Sequence, residues 1–371
     1  MAQHTFRDSA PDDELLSGFD PSLPVERAHT PPSTWYRSPS LLARELKQVF
    51  RRRWIAVGHA AQLRKPGDYI TGTFDHEPWV VIRTTSGQLR AFYNVCRHHG
   101  ACILNDRGNV DALVCPYHGW TYGLDGRLLK APRIGAIKDF DRDAFGLRPI
   151  PVDTWAEMIV LHLGGQADQT PLHAELQPLQ KRLEGFGIEG LTFHTRRRYT
   201  LACNWKVFVD NYLDGGYHVH TIHPGLAQEL DTASYRTESW PTFSIQSSAS
   251  STQGHGDRMG SGALYAYVYP NLMINRYGPV MDINMVWPTG PEQCDVVFEY
   301  LFDEQAIGQE ALDAFVAQCL DQSDLIQQED VAICESVQRG LRSSAYTTGR
   351  YAPKLEHAMH RFHTQLASDL T

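Results

Sequence analysis

Two short loops, each with one cysteine and one histidine, constrain this chain more than any other feature. The first reads Cys-Arg-His-His-Gly over residues 96–100, and the second reads Cys-Pro-Tyr-His-Gly-Trp over residues 115–120. Each loop therefore offers one thiolate and one imidazole, as C-x-H and then as C-x-x-H. A zinc finger instead takes two cysteines from one loop and two histidines from another. The pattern favours a centre whose two metal ions have different ligands.

The four side chains divide naturally between two iron ions. Cys96 and Cys115 would hold one iron, and His98 and His118 would hold the other. This is the ligand set of a Rieske 2Fe–2S cluster, in which two imidazoles replace two thiolates and raise the reduction potential. The alternatives are a structural zinc site or two unrelated Cys/His pairs. Because the pattern is ordered and specific, we prefer the cluster.

A second motif lies between residues 204 and 224. Asp210, Asp214 and His218 are spaced four apart and would share one face of a helix. His223 follows His218 by five residues, which overshoots one turn, so the helix must bend or end between them. The two glycines after Asp214 and the proline after His223 weaken a helix in this region. Two such imidazoles and one distant carboxylate predict a 2-His-1-carboxylate site for Fe(II), with positions open for O2.

The carboxylate of this site cannot be chosen from the residues alone. The stretch from residue 324 to residue 341 carries an approximately helical apolar stripe. Asp330 lies near that stripe and could point inward, whereas Glu335 could pair with Arg339 one turn later. Asp324 and Glu329 are further candidates, and the four acids stay open at this point.

These motifs resemble the catalytic α subunits of the Rieske non-haem iron oxygenases. Within that family the chain is most similar to the choline monooxygenases and related quaternary-ammonium oxygenases. The resemblance implies that Asp330 is the third iron ligand beside His218 and His223. It also implies a homotrimer in which the cluster of one subunit supplies electrons to the mononuclear iron of its neighbour. The strings that carry the narrower resemblance are CNWKVFVDNYLDGGYH (203–218), YPNLMINRYGPVMD (269–282), EDVAICESVQRGLRSSAYTTGRYAP (329–353) and EHAMHRFH (356–363).

The chain departs from the family pattern at two positions. Many members place an acid three residues before the first iron-ligating histidine, where this chain has Gly215. The resemblance therefore makes Asp214 the leading candidate for the bridge that carries electrons between subunits, with Asp210 as the second choice. His99 stands where an arginine is common, and we expect it to pack near the cluster as a hydrogen-bond donor rather than to ligate iron.

The family resemblance also implies the cofactors and the electron donor. We expect a 2Fe–2S cluster, a mononuclear Fe(II) and O2 as co-substrate. The chain has no GxGxxG dinucleotide loop and no flavin signature. NAD(P)H would therefore act indirectly, through a ferredoxin and/or a flavin reductase.

The substrate is the least constrained part of the prediction. Our best candidate is choline or another quaternary-ammonium or N-methyl compound, because a trimethylammonium group binds aromatic faces within ~6 Å. Phe208, Tyr212 and Trp287 are the candidate substrate contacts. An aromatic ring-hydroxylating dioxygenase would use the same side chains for stacking. A Rieske protein that only transfers electrons is a remote alternative.

Composition restricts the other partners. The net charge of −9 argues against nucleic acid. The basic runs at residues 51–53 and 196–198 are best interpreted as local salt bridging, with a docking patch for an acidic electron-transfer protein as the alternative. Seven cysteines without framework spacing argue against a secreted disulfide fold. Without a signal peptide or a long apolar stretch, we expect a soluble cytoplasmic protein that does not enter the membrane.

The pattern of elements predicts an α+β fold. Residues 1–35 would form an N-terminal arm, 36–155 an all-β Rieske domain with a leading helix, and 156–371 a catalytic domain of antiparallel sheet and helices that holds the mononuclear iron. An Asp125-Gly126 pair predicts a hairpin turn. The predicted strands are 69–73, 79–83, 89–94, 265–275, 281–287 and 294–302, and the predicted helices are 40–53, 172–186, 305–319 and 324–340.

Overall fold

The computed structural model describes residues 16–165, 172–231, 233–250, 260 and 262–371. The described residues fall into two compact units, one within Arg51–His173 and the other combining the residues up to Phe50 with Ala174–Thr371. Residues 1–15 of the predicted N-terminal arm lie outside the described part of the chain.

The unit within Arg51–His173 is built from antiparallel strands, arranged as β1–β11–β10, as β5–β2–β3–β4–β9 and as β6–β7–β8. Asp125-Gly126 forms the predicted turn between β7 and β8, where Gly126 adopts a φ of +86°. The strands are β1 (Ile55–His59), β2 (Asp68–Phe74), β3 (Glu77–Arg83), β4 (Leu89–Tyr93), β5 (Arg107–Asn109), β6 (Leu113–Val114), β7 (Thr121–Tyr122), β8 (Leu128–Lys130), β9 (Pro149–Ile150), β10 (Val152–Trp155) and β11 (Met158–Leu161).

The other unit contains an antiparallel sheet in the order β12–β18–β17–β16–β15–β14–β13. Its strands β16, β17 and β18 are almost wholly buried, in agreement with their largely apolar sequences. The strands are β12 (Thr192–Leu201), β13 (Arg236–Ser239), β14 (Phe243–Ala249), β15 (Gly262–Val268), β16 (Leu272–Tyr277), β17 (Val280–Gly290) and β18 (Gln293–Phe302). The chain combines an all-β unit with a sheet-and-helix unit, which confirms the α+β prediction.

One strand prediction in this sheet was wrong. Residues 265–275 were predicted as a single strand, but β15 ends at Val268 and β16 begins at Leu272. The chain reverses there, at a segment that contains the cis peptide bond between Tyr269 and Pro270. Proline has no N–H to donate and cannot continue a central strand. The strand β12, which carries the basic run at 196–198, was not predicted.

The helices pack with this second sheet. Residues 305–319 and 324–340 were predicted as two helices, whereas α8 is continuous over 30 residues, because no proline or glycine interrupts the intervening stretch. The predicted helix at 172–186 is instead divided at Leu176. The helices are α1 (Pro39–Glu45), α2 (Leu172–Glu175), α3 (Gln177–Glu184), α4 (Trp205–Tyr212), α5 (Val219–Ile222), α6 (Pro224–Glu229), α7 (Glu304–Ile307), α8 (Leu312–Leu341) and α9 (His357–Leu370).

The leading helix α1 belongs to the sheet-and-helix unit, which corrects its predicted place in the Rieske domain. The reason is a buried ion pair, in which Glu45 Oε1 lies 2.6 Å from Lys206 Nζ. Glu45 Oε2 also accepts a 2.7 Å hydrogen bond from the Trp205 indole. Because a buried charge is costly without its partner, this pair ties α1 to the start of α4.

Three further observations bear on the predicted partners. The described part of the N-terminal segment pairs with its own chain, since Ser33 N donates to Thr347 O at 2.8 Å. In the run at 196–198, Arg196 lies 3.7 Å from Glu299, and the next two arginines pair with Asp324 and Asp295. These contacts support local salt bridging.

None of the described helices is both long and apolar enough to span a bilayer.

Candidate metal centres and the adjoining cavity

The two Cys/His loops share one backbone construction. In the first loop, the N–H of Gly100 donates to the carbonyl of Cys96 at 2.9 Å, and in the second, Gly119 donates to Cys115 at 3.0 Å. In each loop the cysteine N–H also donates, at 2.8 Å, to the carbonyl of the residue after the glycine. Gly100 and Gly119 adopt φ values of +77° and +71°, which glycine accepts without strain. The tight turns bring each cysteine and histidine to the same side of a loop.

The four predicted cluster ligands come together. The Cys96 and Cys115 thiols are buried, and burial, followed by the neighbouring Cys96 thiol, raises the pKa of Cys115. The imidazoles of His98 and His118 lie nearer the surface, with ring centroids 4.7 Å apart. His98 Nδ1 is buried and has no hydrogen-bond partner among the described residues. An orphaned imidazole nitrogen beside two buried thiols fits a metal-sulfur cluster with mixed ligands.

Aromatic side chains surround this ligand set. Trp120 stacks on His98 with centroids 4.7 Å apart, and the Tyr122 hydroxyl lies 3.3 Å from Cys96 Sγ. Burial raises the pKa of Tyr122, so this hydroxyl stays protonated and can donate to the sulfur. The ring of His99 lies 3.9 Å from that of His98, which agrees with packing near the cluster.

The second motif is a broken helix, although the break differs from the prediction. Helix α4 ends at Tyr212, so Asp214 lies beyond it rather than on the same helical face as Asp210. Gly215 follows with a φ of +71°, and a Cβ there would meet the carbonyl oxygen of Leu355 at 2.3 Å. The single turn α5 then separates the two histidines, with His218 and His223 at its ends. Because the helix is broken, histidines five residues apart can contribute to one site.

His218, His223 and Asp330 converge on one point. Asp330 Oδ1 lies 3.1 Å from His223 Nε2 and 4.0 Å from His218 Nε2. The candidate ligand atoms of the three side chains all lie within 4.8 Å of one another. Asn211 Nδ2 donates to the same Asp330 oxygen at 2.7 Å, which fixes its position. Two imidazoles and one carboxylate at this spacing match the donors of a facial iron triad.

A second carboxylate lies behind each histidine. Asp214 Oδ2 accepts a 2.6 Å hydrogen bond from His218 Nδ1, and Glu329 Oε2 accepts a 2.7 Å bond from His223 Nδ1. Both Nε2 atoms therefore face Asp330. Burial opposes the charged form of His223, but the bonds to Asp330 and Glu329 prevail and raise its pKa. Carboxylates of this kind set the tautomer and ring orientation of metal-bound histidines.

The remaining acids that sequence reasoning left open lie elsewhere. Asp210 accepts a 2.7 Å hydrogen bond from Tyr36 and lies 2.9 Å from His363 Nε2. Glu335 accepts a 3.0 Å bond from the N–H of Ala202, and Asp324 is held by Tyr199 and an arginine of β12. None of these contacts is with the two histidines.

A cavity of roughly 140 Å³ adjoins the triad, between the sheet and the helices. The predicted contacts Phe208 and Tyr212 line it, but Trp287 does not. The Trp287 prediction was wrong because side chains alternate along a strand. Asp282 and Asn284 of β17 face the cavity, so the odd-numbered Trp287 lies on the opposite face. The aromatic residues of the lining are Phe208, Tyr212, Tyr235, Tyr265, Tyr277 and Phe298.

Sequence reasoning missed two features of this site. Glu329 was a candidate ligand, but its role beside His223 was not foreseen, and adjacent acids on one helix offer no signal that separates them. Asp282 was not singled out, although an acid inside the buried strand β17 is itself unusual. A charged residue in an apolar strand is the signal that would have found it.

Two family models match the chain. Residues 53–141 match the Rieske [2Fe-2S] domain, and residues 188–371 match the ring hydroxylating alpha subunit (catalytic domain). The first model covers both Cys/His loops, and the second covers the triad and the cavity.

Individual relatives extend over most of the chain. It is 44% identical to a chloroplastic choline monooxygenase of Arabidopsis thaliana, over 96% of this chain and 86% of that protein. It is 30% identical to the carnitine monooxygenase oxygenase subunit of Acinetobacter pittii, over 86% of this chain and 87% of that protein. The chain also matches a solved quaternary ammonium Rieske monooxygenase, whose structure bears on carnitine oxidation and inter-subunit electron transfer. The match has a TM-score of 0.83 and 27% identity, and it covers 98% of this chain and 99% of that one.

Proposed function

The chain belongs to the Rieske non-haem iron oxygenases, and we propose that it hydroxylates choline or another quaternary-ammonium or N-methyl compound. As an α subunit of this family it carries a 2Fe–2S cluster and a mononuclear iron, uses O2 and takes electrons from a partner reductase or ferredoxin. The substrate class rests on the cavity and on the chain's similarity to choline and carnitine monooxygenases.

We infer that Cys96, His98, Cys115 and His118 hold the cluster. His218, His223 and Asp330 would hold the iron, and the convergence of their donor atoms within 4.8 Å supports that assignment. When bound, the cluster supplies single electrons, and the iron supplies the O2 chemistry that hydroxylates a C–H bond.

The chain's own residues prepare this chemistry by holding protons. Asp214 and Glu329 keep the protons of His218 and His223 on Nδ1, so that both Nε2 lone pairs are available to a metal ion. We also propose that Asp214, rather than Asp210, connects the triad to a neighbouring subunit of a homotrimer. Its direct bond to His218 supports this choice, since Asp210 is engaged by Tyr36 and His363.

The observation that carries the substrate proposal is the aromatic lining beside the triad. Six phenylalanine and tyrosine rings border the cavity that also contains His218, His223 and Asp330. Ring faces attract a quaternary ammonium group, which cannot donate a hydrogen bond. A substrate in this cavity therefore presents a C–H bond close to the triad while its cationic group contacts the rings.

Electrons would reach the chain from NAD(P)H through the partner reductase. The cytoplasmic location of the chain remains a prediction. The test is O2 uptake by the iron-loaded protein with a surrogate reductase and NADH, with products identified by mass spectrometry. The substrate panel contains choline, glycine betaine, carnitine, proline betaine and several aromatic acids.

We expect uptake that is coupled to product with a quaternary-ammonium compound. Choline would yield an aldehyde hydrate, and an N-methyl substrate would release formaldehyde. Coupled uptake with aromatic acids alone, giving a cis-diol, would instead identify a ring-hydroxylating dioxygenase and refute the quaternary-ammonium proposal.

A further inference from the structure

A buried carboxylate forms part of the sheet wall of the cavity. Asp282 lies on β17, is only 3% exposed and lines the cavity. It does not bind the histidines of the triad, which use Asp214, Glu329 and Asp330. Its position on the sheet, rather than on a helix, separates it from the acids already assigned.

Three neighbouring donors converge on this carboxylate. Asp282 Oδ1 accepts hydrogen bonds from Asn275 Nδ2 at 2.7 Å and from Asn284 Nδ2 at 3.0 Å. Asp282 Oδ2 accepts a 2.8 Å bond from the Tyr277 hydroxyl. A carboxyl group that accepts hydrogen bonds at both oxygens is stabilised in its ionised form. The three bonds therefore favour the carboxylate form of Asp282 and oppose the cost of burying its charge in the cavity wall.

The donors are themselves held in place by strand register. Asn275 pairs directly with Asp282 across β16 and β17, so their side chains share one face. The side-chain oxygen Oδ1 of Asn275 accepts a 2.8 Å hydrogen bond from the Tyr212 hydroxyl. Burial and then the charges of Tyr235, Asp282 and other neighbours keep the pKa of Tyr212 well above its usual value, so its hydroxyl remains a donor.

Apart from the two histidines of the triad, the described lining offers no basic side chain. Among the described residues that border the cavity there is no lysine or arginine. A substrate carboxylate near Asp282 would therefore meet a like charge and find no lysine or arginine to bind, whereas a net positive substrate gains from Asp282 and from the rings. Both effects act in the same direction.

We propose that Asp282 selects net-cationic substrates without a carboxylate, of which choline is the simplest, over zwitterionic betaines. This inference rests on the proposed quaternary-ammonium function and narrows it. Asp282 acts as the counter-charge of the ammonium group, and the tyrosines of the cavity supply the shape of the pocket.

The test compares charged and neutral ligands of the same shape. Dissociation constants for choline, its uncharged isostere 3,3-dimethyl-1-butanol and glycine betaine are measured by calorimetry on the anaerobic, fully loaded protein. We expect the wild-type protein to bind choline about 30-fold or more tighter than the other two ligands. In Asp282→Asn, choline binding should weaken by about that factor, while binding of the neutral alcohol changes by less than about 3-fold.

Two control variants separate charge from structure. Tyr277→Phe removes the donor to Asp282 Oδ2 but leaves both bonds to Oδ1, so the preference for choline over the neutral alcohol should fall less than it does in Asp282→Asn. Asp295→Asn removes another buried acid, which pairs with Arg198 outside the cavity lining, and should leave all three constants unchanged. Melting temperature and cluster absorption establish that each variant is folded.

The outcomes distinguish this inference from the proposed function. Equal loss of choline and alcohol binding in Asp282→Asn would assign the residue a structural role only, and unchanged choline binding would exclude it from recognition. A wild-type protein that prefers glycine betaine to choline would overturn the inference and leave the quaternary-ammonium function intact. Binding and turnover of aromatic acids alone would refute both.

Discussion

The carboxylate of Asp214 accepts two hydrogen bonds from His218, one from the ring Nδ1 at 2.6 Å and one from the backbone N–H at 2.9 Å. The same side chain also accepts from the N–H groups of Gly216 and Tyr217, two of the three intervening residues. One carboxylate thus closes the turn between the two helical segments and orients an iron-ligand candidate.

We expect Asp214→Asn to lower substrate turnover by about 10- to 100-fold, because an amide cannot hold the imidazole proton as a carboxylate does. Iron content at saturating Fe(II) should remain close to one per chain. Oxidation of the prereduced cluster in a single turnover, followed by its visible absorption, should slow together with product formation.

Asp210→Asn is the matched control, because Asp210 lies on α4 and contacts Tyr36 and His363 instead. It should lower the melting temperature while leaving the single-turnover rate per iron nearly unchanged. Slow transfer in Asp210→Asn with normal transfer in Asp214→Asn would reverse the assignment of the bridge.

Glu329→Gln should weaken Fe(II) binding by about 10- to 100-fold, because it removes the charged partner of His223 Nδ1. The change is measured as metal content per chain after equilibration against graded Fe(II). Cluster absorption should not change. Glu335→Gln alters a neighbouring acid of α8 that bonds to Ala202, and its iron affinity should match the wild type. Similar losses in both variants would indicate a general effect of charge on the helix.

Gly215→Ala should reduce both stability and iron content. The substitution combines a φ of +71° with a Cβ that would lie 2.3 Å from the carbonyl oxygen of Leu355, so the backbone between Asp214 and His218 must shift. Gly187→Ala is the control for conformation alone, since Gly187 has a φ of +68° and open space around its Cβ position. It should cost about 1 kcal/mol of unfolding free energy and leave iron binding intact. Equal iron content in the two variants would show that the close approach is unimportant.

The stability of the all-β unit should depend on pH through His59. This imidazole is fully buried on β1, and burial, assisted by the charge of Arg64, lowers its pKa to about 4. In the unfolded chain His59 binds a proton near pH 6.5, whereas in the folded chain it does so only near pH 4. The free energy of unfolding therefore falls as the pH drops from about 6.5 to about 4, and the contribution of His59 is fully present above that range. Between pH 7 and pH 5 the loss is about 2 kcal/mol.

The measurement is the denaturation midpoint at a series of pH values, followed by cluster absorption. His59→Asn keeps a side-chain acceptor for the N–H of Ala61, which bonds to His59 Nδ1 at 3.2 Å, and should flatten the profile. His76→Asn changes an exposed imidazole and should preserve the slope. An unchanged slope in His59→Asn would assign the pH dependence to other groups.

Much of the metal chemistry was accessible from spacing along the chain. The two Cys/His loops are local, so the order of Cys96, His98, Cys115 and His118 already indicated mixed ligands on two irons. The pair His218 and His223 was similarly visible, because a five-residue spacing beside two glycines predicts a broken helix. Composition and strand patterns were sufficient for the α+β class.

Spacing could not identify partners that are distant in sequence. Asp330 lies more than one hundred residues from His223, and only the packing of α8 against the broken helix decides which of its acids meets the imidazoles. The same packing turned Glu329 from a rival ligand into the partner of His223 Nδ1. The family resemblance implied Asp330 as the iron ligand, but it implied no role for Glu329.

The cavity illustrates the same division. The sequence by itself determined that aromatic residues are abundant near the motifs and that β17 contains an acid among apolar residues. Only the tertiary structure decided that Asp282 faces the cavity while Trp287, five positions later on the same strand, faces away. The physical reason is that strand alternation is local, but which of the two faces meets the triad depends on contacts between elements far apart in the chain.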